Sequence, residues 1–397
     1  MSKIDDLIKK YCPNGVQFMT FEEVCDYEQP GKYIVESTNY SDDYTTPVLT
    51  AGQTFILGYT DETEGIYQAS KSNPVIIFDD FTGAFKWVDF PFKVKSSAMK
   101  LLTPNGKALL RYIFHYMGCL NFSSDEHKRL WIATYSKFKI PVPPLEVQRE
   151  IVQVLDSFTM LTAELSAELS ARKKQYEYYR DQLLSFNNVR GGLTFANPES
   201  VRWMTLGECC DMKAGKAISS VNIYKEPTKE ASIPCYGGNG LRGFVSESNQ
   251  NGNFCLIGRQ GALCGNVCYA TGKFYATEHA VVVKNNTSLN SRFLFHLLTN
   301  MNLNQYKSQG AQPGLAVGKL EEIKIPVPSL AIQDKIANVL DNFDSICSDL
   351  QIGLPAEIDA RKKQYEYYRD LLLSFEPIGT VLAKQASKQA SKQASNN

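Results

Sequence analysis

The feature that most constrains this chain is a duplication. Residues 171–186 read ARKKQYEYYRDQLLSF and residues 360–375 read ARKKQYEYYRDLLLSF, differing at one position in sixteen. Apolar seams alone tolerate many sequences, so two nearly identical surfaces identify one structural unit used twice. The repeat extends well beyond this match. Gly-Val-Gln-Phe-Met-Thr at 15–20, with Glu23, Cys25 and Asp26 after it, corresponds to Ser-Val-Arg-Trp-Met-Thr at 200–205, with Glu208, Cys210 and Asp211. The same 185-residue offset relates Ile-Pro-Val-Pro at 140–143 to Ile-Pro-Val-Pro at 325–328, Gln148 to Gln333, and Asp156 to Asp341.

After each Ile-Pro-Val-Pro the pattern becomes helical, because proline fixes an extended entry and ends the preceding element. Residues 145–186 contain neither Gly nor Pro. Their seam runs Ile151, Leu155, Phe158, Thr162, Leu165, Leu169, Arg172, Tyr176, Tyr179, Leu183 and Phe186, the alternating four-three spacing of a left-handed coiled coil with blemishes at Thr162 and Arg172. Forty-two helical residues make a rod of about 63 Å. The second copy carries Ile336, Leu340, Phe343, Cys347, Leu350 and Leu354, then loses phase before Arg361, Tyr365, Tyr368, Leu372 and Phe375. Four extra residues, with Gly353 and Pro355 among their neighbours, predict a bend or break there. The chain must return between the rods, so antiparallel pairing is expected, with Tyr176 and Tyr365 completing the rod core.

Between the shared ends the two halves do not resemble each other. Short apolar runs at 54–57, 74–78, 85–88 and 92–94, and at 254–257, 266–270 and 279–283, are bounded by turn formers and read as strands. Each half then places one amphipathic helix in the same slot: Leu109, Leu110, Ile113, Phe114 and Met117, or Phe293, Leu294, Leu297, Leu298 and Met301. The expected architecture is mixed α/β, with two globular recognition domains joined and spaced by two long antiparallel coiled-coil helices in an internal twofold repeat. The expected boundaries are a first domain at 1–144, a central spacer at 145–186, a second domain at 187–329, a C-terminal spacer at 330–375 and a tail at 376–397. Within it, residues 384–395 repeat Lys-Gln-Ala-Ser three times and have no apolar residue larger than Ala, which reads as disorder.

Composition closes several classes. No apolar run approaches a membrane span and the opening residues lack a signal-peptide core, so a cytoplasmic protein without membrane contact is expected. Ten cysteines without CxxC pairs fit reduced, buried thiols, with a zinc site of Cys255, Cys264 and Cys268 as the minor alternative. No phosphate loop with GK[ST], no GxGxxG following an expected strand, no HExxH and no GxSxG is present, and the four histidines (115, 127, 279 and 296) stand apart in sequence. Asp79 and Asp80 follow a strand without a third carboxylate and read as a turn or cap; Glu278-His279 reads as structural. An enzyme is therefore not expected, and neither a metal nor a cofactor is assigned to this chain.

Binding suits the layout better. Two similar scaffolds with dissimilar inserts, held apart by a stiff spacer, can read two things at a set separation, and DNA half-sites about one turn (roughly 34 Å) apart fit that geometry. The 42 basic and 42 acidic residues cancel overall, but residues 187–329 carry 14 against 9. Lys86, Lys93, Lys95 and Lys100 around Trp87 and Phe92, and Arg242, Arg259, Lys273 and Lys284 among glycines, are the candidate phosphate contacts. Arg259 and Gln260 have the residue types that bond guanine and adenine edges.

At this point the residues resemble a known family. The paired Ile-Pro-Val-Pro entries with Gln148 and Gln333, the paired ARKKQYEYYRD segments, and GRQGALCGNVCYATGKFYATEHAVVV at 258–283 are similar to the specificity subunits of type I restriction-modification systems, the HsdS family. The likeness spans residues 1 to about 375. It implies that each domain reads one half of an interrupted double-stranded DNA target, and that the repeated helices dock two modification subunits, which use S-adenosylmethionine, and through them the restriction subunits. The exposed repeat faces, Arg172, Lys173, Lys174 and Tyr178 with Arg361, Lys362, Lys363 and Tyr367, are the implied docking residues. A coiled-coil scaffold for protein or small-molecule partners, with no DNA role, is the competing reading.

Overall fold

The computed structural model describes residues 2–52, 54–122, 128–186, 201–261, 263–308, 314–384 and 387. His127 and nearly all of the Lys-Gln-Ala-Ser tail lie outside these residues. The chain divides into two units that do not follow chain order: residues 1–164 with 359–397, and residues 165–358.

In the first unit, α1 (Ser2–Tyr11) precedes β1 (Gln17–Thr20), the short α2 (Phe21–Val24) and β2 (Cys25–Glu28). There follow β3 (Thr46–Leu49), β4 (Ile56–Thr60), β5 (Val75–Asp79), β6 (Phe85–Val88), β7 (Lys93–Val94), β8 (Met99–Pro104), α3 (Leu110–Cys119) and β9 (Lys139–Val142). Helix α4 (Leu145–Leu183) starts here and runs 39 residues without interruption. The strands form a β1-β9 pair, a four-stranded sheet β2-β8-β5-β6, and a three-stranded sheet β4-β3-β7 in which β3 and β7 run parallel. Alternation along β5 splits the interior: Ile76 and Phe78 join Leu102, Ile113, Trp131 and Leu155 in one core, while Val75 and Ile77 join Leu49, Val88 and Leu101 in another.

The second unit repeats that plan. It comprises β10 (Arg202–Thr205), α5 (Leu206–Cys209), β11 (Cys210–Ala214), β12 (Ile233–Gly237), β13 (Gly240–Val245), β14 (Gln250–Asn251), β15 (Phe254–Gly258), β16 (Val267–Ala270), β17 (Lys273–Ala276) and β18 (Ala280–Asn285). Helices α6 (Ser291–Asn300) and α7 (Val317–Glu321), strand β19 (Lys324–Val327) and helix α8 (Leu330–Ser348) follow. Its sheets are β10-β19, β11-β18-β15-β16 and β13-β12-β17-β14, with β12 and β17 parallel. The dissimilar inserts therefore share one strand order, to which the second adds β14 at a sheet edge. Cys255, Ile257, Val281 and Val283 face the larger core, and Leu256, Ala270 and Val282 the smaller.

The shared sequence ends are shared joints. Gln17–Thr20 pairs with Lys139–Val142 antiparallel in the register in which Arg202–Thr205 pairs with Lys324–Val327. At the start of the short helix that follows, the Thr20 backbone N–H donates to the Glu23 carboxylate at 2.7 Å and that of Thr205 to Glu208 at 2.6 Å. Buried Gln148 donates to the Pro143 carbonyl at 2.7 Å and accepts from the Leu109 N–H at 2.9 Å; Gln333 donates to Pro328 at 2.8 Å and accepts from Asn290 at 2.8 Å. Each glutamine ties the proline entry of a long helix to the start of the preceding amphipathic helix.

The spacer helices differ. Helix α8 stops at Ser348 and the last helix, α9 (Leu354–Leu372), begins after a turn. Asp349 accepts from the N–H groups of Gln351 and Ile352 at 2.7 and 3.1 Å, and a Cβ on Gly353 would meet three carbonyls within 3.0 Å, so the extra residues are built as a compact break. Within the first unit Val147, Ile151 and Leu155 share a core with Leu372 and Leu373, and Phe158 stacks on Tyr368 at 5.3 Å. Within the second, Tyr179 stacks on Phe343 at 5.7 Å, beside the core holding Leu183, Leu184, Ile336 and Leu340. The central copy of the repeated segment therefore serves the second unit, and the C-terminal copy serves the first.

Two lysines expected at a surface lie inside the first unit. Lys100 is fully buried with its ammonium 2.7 Å from the equally buried Asp80, whose other oxygen accepts from the Trp131 N–H at 2.8 Å. Lys93 is buried against Glu62 and donates to the Glu64 carbonyl at 2.8 Å. Removing one member of an enclosed pair strands the other charge, at a cost of about 3–5 kcal/mol. Asp80→Ala should therefore lower the unfolding free energy of the Trp131-containing unit, read from urea denaturation, by that amount, whereas exposed Lys95→Ala should change it by less than about 0.5 kcal/mol. Equal effects in denaturation followed by tryptophan fluorescence would contradict this assignment.

Candidate nucleic-acid interface

Lys93 and Lys100 are withdrawn from the residues expected to meet phosphate, since their ammonium groups are engaged inside the fold. Lys95 is exposed and bonds the Tyr40 hydroxyl at 3.2 Å; Lys86 is half-buried on β6. In the second unit Arg242, Gln260, Lys273 and Lys284 are exposed and Arg259 is half-buried. Lys284 lies 5.2 Å from the Phe254 ring centre.

Three of these residues belong to one cluster of loops. The turn between β12 and β13, the segment after β15 and the segment before β18 meet by backbone: the Arg259 N–H donates to the His279 carbonyl at 2.9 Å, and a Cβ on Gly258 would fall 1.9 Å from the Gly238 oxygen. Arg259 and Gln260 lie in these loops and Arg242 on β13 just beyond the first of them, whereas Lys273 and Lys284 lie on β17 and β18.

The proposed zinc ligands do not converge. Cys255 packs in the larger core and Cys268, on the neighbouring strand, against the smaller one, and among the described residues no group of three or more His, Cys, Asp or Glu side chains could hold a metal ion. Burial raises the Cys255 thiol well above its ordinary value and that of Cys268 to about 11. Asp79 is a turn residue, accepting from the N–H groups of Phe81 and Thr82 at 2.9 Å each. No helix of the described residues is long and apolar enough to cross a membrane.

The repeated helix face separates as its spacing predicts. Tyr178 and Tyr367 are 62% and 65% exposed, and Lys173, Lys174, Lys362 and Lys363 are exposed beside them. Arg172 and Arg361 are held along their own helices, bonding Gln175 at 3.1 Å and Gln364 at 3.0 Å. Lys363 also pairs with Asp359 at 2.8 Å.

Tyr176 and Tyr365 reach a polar network that sequence reasoning missed. Asp156 Oδ1 accepts from Arg111 Nε at 2.6 Å and from His115 Nε2 at 2.9 Å, while His115 Nδ1 meets the Tyr365 hydroxyl at 2.9 Å. In the second unit Asp341 Oδ1 accepts from Arg292 Nε at 2.9 Å and from His296 Nε2 at 2.6 Å, with the Tyr176 hydroxyl 3.5 Å from His296 Nδ1. The arginines stack alike, Arg111 at 4.7 and 4.8 Å from Trp87 and Phe114, and Arg292 at 4.6 and 4.8 Å from Tyr269 and Phe295. Arg-x-x-x-His in the same slot of both amphipathic helices was the available signal.

Burial pushes both imidazoles below their ordinary value against the pull of the aspartates. With neutral rings, Nε2 donates to the carboxylate and Nδ1 accepts from the tyrosine. Burial alone would raise the aspartates, but hydrogen bonds from histidine and arginine hold both below the usual range.

A family model described as the type I restriction modification DNA specificity domain matches residues 13–172 and 198–360. The EcoR124I/EcoR124II type I restriction enzyme specificity subunit of Escherichia coli is 41% identical, over 96% of this chain and 100% of that one. The EcoprrI specificity subunit, also from E. coli, is 46% identical over 61% of this chain and 62% of its own. The fold is similar to the crystal structure of a type I restriction-modification S subunit from M. genitalium, with a TM-score of 0.64 at 17% identity, covering 90% of this chain and 96% of that one.

The histidines carry a pH prediction. Their folded values lie below that of the unfolded chain, so the unfolded state takes up protons first as pH falls through about 6.5, and stability is lost from there toward the lower folded values. The aspartates, also depressed when folded, add a separate loss below about pH 3.9. Urea midpoints should fall between pH 7.5 and 5.5 in the native chain, and this slope should flatten in the His115→Gln, His296→Gln double variant while the loss below pH 4 remains.

Proposed function

The chain belongs to the type I restriction-modification DNA specificity family, and we infer from that membership that it is the DNA-sequence-reading subunit of such a system. The observation that carries the reading furthest is one topology with two sequences. Both units build sheets of matching strand order, with β14 added in the second, and the same polar network on dissimilar inserts. A scaffold that merely held two copies of one partner would have no use for that divergence, whereas two domains reading different halves of an interrupted duplex require it. The scaffold without a DNA role is set aside by the family match.

In this reading residues 1–144 and 187–329 each contribute one half-site, and the segments at 145–186 and 330–375 space them. An antiparallel coiled-coil spacer is supported in the second unit, where Tyr179 stacks on Phe343 while Arg172 and Lys173 act electrostatically on Cys347, so position rises along one helix as it falls along the other. Phosphate contact falls to exposed or half-exposed Lys86, Lys95, Arg242, Lys273 and Lys284. The chain supplies specificity, not chemistry; two modification subunits using S-adenosylmethionine would methylate, and restriction subunits would join through them. Sequencing the methylated bases of a host with and without this gene should show loss of one bipartite motif. An unchanged pattern would refute the function.

Docking is assigned to the paired repeat faces around Tyr178 and Tyr367, each a large exposed ring flanked by lysines. Exposed aromatics at interface centres carry much of the binding energy. Tyr178→Ala and Tyr367→Ala should each weaken one of two modification-subunit sites by about tenfold or more. The double variant should fail to form the two-subunit assembly in sedimentation while keeping the native melting temperature. Undiminished assembly would move the docking site elsewhere.

A further inference from the structure

Two charged side chains in the loop cluster of the second unit each leave one polar atom without a hydrogen bond. Arg259 and Glu278 are both partly exposed, the Glu278 side chain by 39%, yet Arg259 Nε and Glu278 Oε2 have no hydrogen-bond partner among the described residues. Glu278 Oε1 meets His279 Nε2 at 3.2 Å, which leaves the second oxygen unused. In the first unit Asp80 Oδ2 likewise makes no hydrogen bond, but the Lys100 ammonium stands 2.7 Å from it as its counter-charge. Enclosed polar atoms are nearly always satisfied, because leaving one unpaired costs on the order of 1–3 kcal/mol, and more for a charge. A persistent pair of orphans, one donor and one acceptor, therefore points to a ligand that supplies both complements.

The surrounding backbone is already committed. Arg259 donates its N–H to His279 and accepts at its carbonyl from Leu315 at 2.8 Å, while Gln260 bridges Gly314. A Cβ on Gly238 would stand only 3.2 and 3.3 Å from the carbonyls of Gln260 and His279, so glycine is what lets the three loops close together. Side chains at 259, 260, 278 and 279 are thus presented from a fixed frame.

The sign of the charges narrows the ligand. A phosphate would satisfy arginine but be repelled by the neighbouring carboxylate. A G·C pair suits both: guanine O6 and N7 accept from arginine in the major groove, and cytosine N4 donates to glutamate. Resting on the DNA-reading function argued above, we propose that Arg259 and Glu278 are the base-reading pair of the second recognition domain, specifying a G·C base pair, with Gln260 and His279 beside them.

The test uses the chain assembled with its modification subunits, selecting duplexes from a randomised library. The native assembly should select a bipartite motif with at least one G·C pair in one half. Arg259→Ala and Glu278→Ala should relax that pair by on the order of 5- to 150-fold, leaving the other half unchanged. Should either variant fold poorly by melting temperature, the native assembly can be probed on duplexes carrying 7-deazaguanine at each guanine of that half, where one position should lose binding to a similar extent. Unaltered preference in folded variants, relaxation in both halves, indifference to every 7-deazaguanine, or a motif half without G·C would each overturn the assignment while the DNA-reading function stands. Selection of no motif by the native assembly would instead overturn that function and this inference with it.

Discussion

The arrangement of both units depends on a carboxylate placed where two elements must meet. Asp156 and Asp341 sit on the long helices, one and a half turns past the first core position, and each gathers an arginine and a histidine from the amphipathic helix of its recognition domain. The histidine passes the connection on to a tyrosine of the repeated segment, closely in the first unit and more loosely in the second. Apolar seams would allow these helices to slide or rotate by a residue at little cost; a chain of directional bonds with one geometry does not. The orientation of each recognition domain on its spacer is therefore fixed chemically as well as sterically. Because the same four residue types do this in both units, the divergent inserts can change without disturbing the attachment.

Much of this was legible because it was repeated. The strand joints and the glutamines after the proline entries follow from an offset of 185 residues, and the exposed tyrosines from the 189-residue offset of the repeated segment beyond the four-residue insertion. The topology of the inserts did not, since β3 and β7, or β12 and β17, become parallel neighbours only through long connections whose pairing no local pattern records. Lys93 and Lys100 were misplaced for a related reason: their partners Glu62 and Asp80 lie 31 and 20 residues away, and a lysine that will be buried looks in sequence like any other. The histidine network was overlooked because its members come from three separated segments, although the arginine-histidine spacing in α3 and α6 was visible. The break in the second spacer was readable from its four extra residues and Gly353.

The two recognition domains also differ in how they hold charge. The first neutralises its enclosed lysines within itself, through Asp80 and Glu62. The second leaves Arg259 Nε and Glu278 Oε2 without hydrogen bonds among the described residues, in a frame closed by glycines. Similar folds can thus divide charged residues differently between internal stability and external recognition.

The exchange of the repeated segments has a consequence in time. Near the first unit's joint, the Val16 N–H donates to the Glu376 carbonyl at 3.0 Å and the Ile378 N–H to the Val16 carbonyl at 3.2 Å, so its earliest and latest residues are direct neighbours. A ribosome delivers everything the second unit needs by residue 358, but the first unit waits for Tyr365, Leu372 and Leu373. At bacterial or slower synthesis rates, roughly 10–40 s separate residue 164 from residue 375. The unit that begins first is finished last, and during that interval its core around Ile151 and Leu155 has an uncovered side.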